Sequence, residues 1–156
     1  MKKLLLGALT HGGALALGFG LGVYFLPILT APPSPDASTL EAMAEDAVYT
    51  AEFAQDLRGH DLIHWGEGVV SLTPTQIVHE GRLGPGPDYR LYLVPEFVEH
   101  EDEFLPLKDQ SRVIGPVETF EGFALDIPDG VTLEDYTTVL IWCEAFSEFI
   151  AAAQYR

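Results

Sequence analysis

The feature that most constrains this chain is the apolar run Val139–Cys143 inside TTVLIWCEAFSEF, residues 137–149. It is short, rich in β-branched and aromatic types, and closed by the charged Glu144. That pattern reads as a strand buried on both faces rather than as a helix. Side chains alternate along a strand, so Val139, Ile141 and Cys143 share one face, and Leu140, Trp142 and Glu144 the other. The run holds the chain's only cysteine and one of its two tryptophans. A single thiol at the end of a core strand is the best candidate for chemistry in the sequence.

The segments before this run carry strand and turn signals. VYTAEF (48–53) alternates in part. LIHWGEGVVSL (62–72) has glycines at 66 and 68 that predict a bulge or tight bend. Thr75–Val78 is a weaker strand, GRLGPGPD (81–88) a loop, and YRLYLV (89–94) a strand that Pro95 ends. Residues 95–110 read as irregular and acidic, FEGFALDI (120–127) as a strand stopped by a Pro-Asp-Gly turn, and Leu133–Tyr136 as a single helical turn capped by Thr132. Short strands spaced by turns predict an all-β fold, an antiparallel β-sandwich of jelly-roll-like type.

The N-terminus differs in kind. After Met-Lys-Lys, Leu4–Leu29 carries no formal charge, longer than the about 7–15 apolar residues of a signal peptide and enough for the about 20 a spanning helix needs. A cut after Ala31 would put Leu29 at a position that favours small residues. Residues 1–29 therefore read as an uncleaved transmembrane signal anchor, with Lys2 and Lys3 holding the N-terminus in the cytoplasm and the rest outside. Gly18 and Gly22 form a spacing that can pack two helices together, one that many spanning helices also carry by chance. Residues 30–47 follow as a Pro-rich linker with a short helix, which Ser38 is placed to cap and Glu41 to complete as a capping box. Its few large apolar groups predict a surface position. Residues 48–156 form the β domain.

Charge excludes one class of partner. There are 24 acidic against 8 basic residues, and every acidic residue lies at or after Asp36. A surface of that sign repels phosphate backbones, so no nucleic-acid partner is expected.

GPDYRLYLV, LPLK, FALDIPDGVTLEDY and TTVLIWCEAFSEFIAAAQY, in that order, resemble the DM-thirteen domain family, and the chain reads as a membrane-anchored bacterial member. The resemblance spans roughly 48–155 and reaches back to His64 and Gly68. KDQSRVIGPVETFEG departs from the Gly-Asn-rich turn that many members carry after LPLK. The resemblance implies a β-rich extracytoplasmic module with an electron-transfer role for its cysteine, here Cys143, either as a bare thiol or with a prosthetic group such as haem.

The residues themselves leave two readings of Cys143 open. A free cysteine in an exported domain is either used or buried as a small hydrophobe. Glu144 beside it would disfavour the thiolate. With one cysteine there is no dithiol pair. His64 is a weak metal-ligand candidate, since a His/Cys site suits borderline metals; His60 lies too far along an extended chain to join it. EHEDE (99–103) lacks the ligand spacing of an EF-hand and reads as a solvated loop. The serines have no nucleophile motif around them. The expected function is a membrane-anchored redox or electron-transfer module centred on Cys143, its partner a redox or other protein not named by the sequence. The alternative is a non-enzymatic binding module whose cysteine is core.

Overall fold

The computed structural model describes residues 1–156. Helix α1 (Lys2–Thr30) is followed by α2 (Ala37–Ala44). The strands are β1 (Tyr49–Phe53), β2 (Gly66–Leu72), β3 (Gln76–Leu83), β4 (Tyr89–Val94), β5 (Arg112–Val117), β6 (Phe123–Asp126), β7 (Thr138–Cys143) and β8 (Glu148–Gln154). Between β4 and β5 lie α3 (Glu101–Phe104) and a 3-10 turn, Leu105–Gln110. The strands form two four-stranded antiparallel sheets, ordered β1-β2-β3-β6 and β5-β4-β7-β8. This is the β-sandwich expected from the spacing of strands and turns.

β7 lies inside its sheet, paired with β4 on one side and β8 on the other, and all of its residues are buried. Its two faces serve two cores. Val139, Ile141 and Cys143 join Phe53, Leu72, Leu91 and Ile150 between the sheets. Leu140 and Trp142 join Tyr92, Phe104 and Phe149 on the outside of the sheet. The second core exists because residues 95–110 fold back as a lid. Phe104 packs against Tyr92 and Trp142 with ring centroids 5.1 and 4.8 Å away. Burying each such large side chain stabilises the fold by about 1.5–3 kcal/mol.

Four local expectations are corrected. The helix cap is Asp36, not Ser38: its carboxylate accepts from the Thr39 amide at 2.9 Å and from the Ser38 hydroxyl at 2.7 Å. The helix ends at Ala44, and it is not merely a surface element, because Leu40 is buried where α2 lies on β3 and β6. The glycines of β2 make no bulge; pairing runs in register through Gly68 to Phe53 on one side and Gly81 on the other. Gly68 instead takes φ +111°, and a Cβ there would sit 2.3 Å from the Glu80 carbonyl oxygen. Finally, residues 95–110 are helical in part, and RVIGPV forms a strand. β5 is an edge strand, so Pro116 can sit in it without removing a ladder bond on its open side.

Helix α1 is long and apolar enough to cross a membrane, a test that a signal sequence also passes.

Candidate functional site around Cys143

Three loops meet at the end of the sandwich where β7 finishes: residues 61–65, the β3–β4 connection (84–88) and the β7–β8 turn (144–147). The Gly-Pro-Gly-Pro sequence of the β3–β4 connection has a steric reason. A Cβ on Gly84 would lie 2.3 Å from the Ile63 carbonyl oxygen, and one on Gly86 2.4 Å from the Tyr89 hydroxyl. The loop is held down by three bonds. The Gly84 amide donates to the Trp65 carbonyl at 2.8 Å, the Tyr89 hydroxyl donates to the Gly84 carbonyl at 2.9 Å, and the Glu144 amide donates to the Asp88 carbonyl at 3.0 Å.

Together the loops enclose one side of a cleft of about 390 Å³. Cys143 and Tyr89 form its floor, with Ile63, His64, Phe146 and Glu148 around it; Phe19, Val23 and Tyr24 of α1 form the opposite wall. The Cys143 side chain is only 2% exposed. Its thiol donates to the Pro87 carbonyl, Sγ···O 3.1 Å. Burial pushes the thiol pKa up, the nearby Phe146 and Ala145 amides oppose this, and Asp88 and Glu148 add to it. The resting group is a protonated thiol.

The structure brings His64 to the same cleft but gives it another partner. Its Nδ1 lies 3.0 Å from Asp61 Oδ2, while the amides of Ile63 and His64 each donate to Asp61 Oδ1 at 2.7 Å. Burial raises the Asp61 pKa, yet these contacts outweigh it and hold the carboxyl below its usual range. Glu148, cross-strand from Cys143, is shifted upward by burial and by its hydrogen bond with Glu101.

Glu144 is not the thiol's neighbour. It points to the other face, where Lys108 Nζ approaches Oε2 at 2.6 Å and the Tyr92 hydroxyl donates to Oε1. Burial raises the Glu144 pKa, but Lys108 and Tyr92 bring it below normal. The acidic groups that act on the thiol are Asp88 and Glu148, which the sequence reading did not single out. Trp142 is likewise on the outer face and Tyr136 packs at the far end of β7, whereas Phe146 reaches the cleft. The GPGPDY run was the signal that could have found Pro87, Asp88 and Tyr89.

The remaining candidates have structural partners. His60 Nδ1 approaches the Gln55 carbonyl at 3.1 Å, and its ring lies against Phe149. EHEDE folds into α3: Asp102 and Glu103 pair with Arg58 at 2.9 and 2.6 Å. No group of three His, Cys, Asp or Glu side chains is arranged to hold a metal ion. Cys143 does not present itself as a haem ligand either. The sulfur that would ligate iron is covered and directed at Pro87, and ligation needs the thiolate that burial disfavours.

One buried histidine went unremarked as a site. His79, on β3, is fully buried between Phe53 and Phe123, with ring centroids 5.1 and 5.0 Å away. Its Nε2–H donates to the Glu67 carbonyl at 3.0 Å, and Nδ1 has no partner. Burial lowers its pKa to about 4.

No curated protein and no solved structure matches the chain. A family model described as "Electron transfer DM13" matches residues 43–155, which include every strand and all the cleft's loops. The chain belongs to this electron-transfer DM13 family, and its β-sandwich is a redox or electron-transfer module.

Proposed function

We propose that the protein is a membrane-anchored, extracytoplasmic electron-transfer module centred on Cys143, with residues 1–29 as the anchor, 30–47 as the linker and 48–156 as the β domain. The observation that carries this reading is the placement of the chain's single thiol at the floor of the one cleft where three loops converge. Oxidation of the protonated thiol gives one electron to the redox partner and has to release one proton. Glu148 lines the same cleft, and its raised proton affinity suits it as the acceptor. The family supports redox function in general; the length and composition of α1 support the anchor.

One observation favours a second reading, a binding module with a structural cysteine: Cys143 is almost closed to solvent and packs with the intersheet core. Native-state thiol labelling separates the two. Labelling much faster than global unfolding, with Cys143→Ala and Cys143→Ser both folded but unable to transfer electrons, is the expected result. Cys143→Ala costs about 1–2 kcal/mol of stability; Cys143→Ser costs no more than that, because its hydroxyl inherits the Pro87 carbonyl as an acceptor. Labelling that only tracks unfolding, in a colourless protein, removes the redox role of Cys143 and leaves the binding module. The intact mass of the membrane-extracted protein checks the anchor.

A further inference from the structure

The end of the sandwich that holds the cleft is also where large apolar groups stand in the open. Leu62 is 97% exposed, Ile63 49% and Phe146 50%. Ile63 and Phe146 line the cleft, and Leu62 is the next residue along the same loop. Side chains of this kind, gathered on protruding loops, leave water only when something apolar covers them.

Helix α1 indicates what covers them. A span from Leu4 to Val23 already reaches about 30 Å, the thickness of a bilayer's hydrocarbon core. With the span so placed, Phe19 and Val23 lie in the outer leaflet and Tyr24 at its surface, where a tyrosine is favoured. Phe19, Val23 and Tyr24 are the α1 residues that wall the cleft. The linker, residues 31–36, reaches at most about 20 Å when fully extended. The cleft end therefore faces the membrane side, beside the last turns of the spanning helix.

We propose that this end of the β domain docks on the outer interface of the lipid bilayer, with Leu62, Ile63 and Phe146 inserted among the headgroups and first acyl carbons. The mouth of the cleft then opens at the membrane surface, and Cys143 is approached from the lipid phase rather than from bulk water. Asp61, Asp88 and Glu148 surround the patch, so apolar insertion and not charge attraction carries the docking, and a zwitterionic bilayer is its natural substrate.

The inference rests on the anchor reading, and the test keeps the two apart. Full-length protein is reconstituted into vesicles of phosphatidylcholine brominated at shallow acyl positions, with Phe146→Trp, Leu62→Trp and Val113→Trp each added to the parent chain. Val113 is an exposed apolar residue paired with Tyr92, away from the cleft end of β4. Quenching in excess of the parent is expected to be at least twofold greater at 146 and 62 than at 113. Protein that floats with the vesicles but shows equal quenching at all three positions overturns the docking and leaves the anchor intact. Protein that does not float with the vesicles overturns the anchor, and the docking with it. Neither outcome depends on the redox state of Cys143.

Discussion

On the inner face of β7, Val139, Ile141 and Cys143 meet the side chains of a facing sheet; on the outer face, Leu140 and Trp142 meet a lid of short helical pieces. Both faces are dry, yet they treat polar groups differently. The inner core holds Cys143 and His79, each with a single backbone partner and no counter-charge. Such groups persist only in their neutral forms, which is why burial raises the pKa of the thiol and lowers that of the imidazole. The outer face keeps full charges, but at its rim. Lys108 and Glu144 pair there, and the ammonium lies 5.5 Å from the Trp142 ring centroid and 5.9 Å from that of Tyr92. The difference teaches that the cover decides the chemistry. A facing sheet offers apolar side chains and closed ladders; a lid has edges where water stabilises an ion pair.

The largest expected effect breaks the lid. Phe104 is fully buried between Tyr92 and Trp142, so Phe104→Ala leaves a cavity and costs about 3–5 kcal/mol. Urea unfolding measures it. A loss below about 1 kcal/mol would show that the outer core is not part of the cooperative unit.

The second effect probes the inner core through pH. His79 has a folded pKa of about 4, below its usual 6.5. The unfolded chain therefore takes up the proton first, and stability falls as pH drops from about 6.5 to about 4. The full loss is about 3 kcal/mol. His79→Leu removes this dependence, so the difference between the two pH profiles isolates it. Asp61, Asp102 and Glu144 contribute lower down, as their depressed pKa values are crossed below the usual carboxyl range. Identical slopes between pH 6.5 and 4 for parent and variant would mean that His79 is not closed to water in the native state.

How much of this was legible in the sequence follows the same division. The two faces of β7 could be read directly, because alternation in a short apolar run depends on nothing outside it. YRLYLV gave β4 to the residue, with turn signals on both sides. The lid could not be read. Val98 and Phe104 are spaced too widely in an acidic stretch to mark a buried face until Trp142 is there to receive them. β5 was hidden by Gly115-Pro116, which suggests a turn unless the strand is known to be an edge. At the site, Cys143 and His64 were picked out by residue type, and both line the cleft. The cysteine's electrostatic neighbours were not, because Glu148 reaches it through strand pairing and Asp88 through the loop before β4, whereas the adjacent Glu144 turns away.

That last contrast is itself testable. Glu144→Gln loses a partly exposed ion pair, worth about 1 kcal/mol or less, and leaves the Cys143 pKa where it is. Glu148→Gln lowers the thiol pKa, since it removes a negative charge from the thiol's own side. Thiolate absorbance against pH reads both. A downward shift in Glu144→Gln as large as that in Glu148→Gln would erase the electrostatic separation of the two faces.

The smallest expected effect lies just past the point where both faces of β7 end. The turn from Cys143 to Glu148 places Ser147 at φ +56°, in the left-handed region. A residue with a Cβ pays about 1–2 kcal/mol to stand there. Glycine avoids that cost but adds about 0.5–1 kcal/mol of chain entropy in the unfolded state. Ser147→Gly should therefore gain about 0.5 kcal/mol, and raise the melting temperature by about 1–2 °C in a chain of this size. Ser147→Ala keeps the Cβ and should gain nothing, so the pair separates backbone strain from loss of the hydroxyl. Ser147 carries no side-chain hydrogen bond across the turn, and neither change alters the ladder that holds Cys143 against Pro87. Native-state labelling of Cys143 should stay at the parent rate in both. Faster labelling in Ser147→Gly alone would show that the strained turn, and not the packing of the inner core, is what keeps the thiol covered.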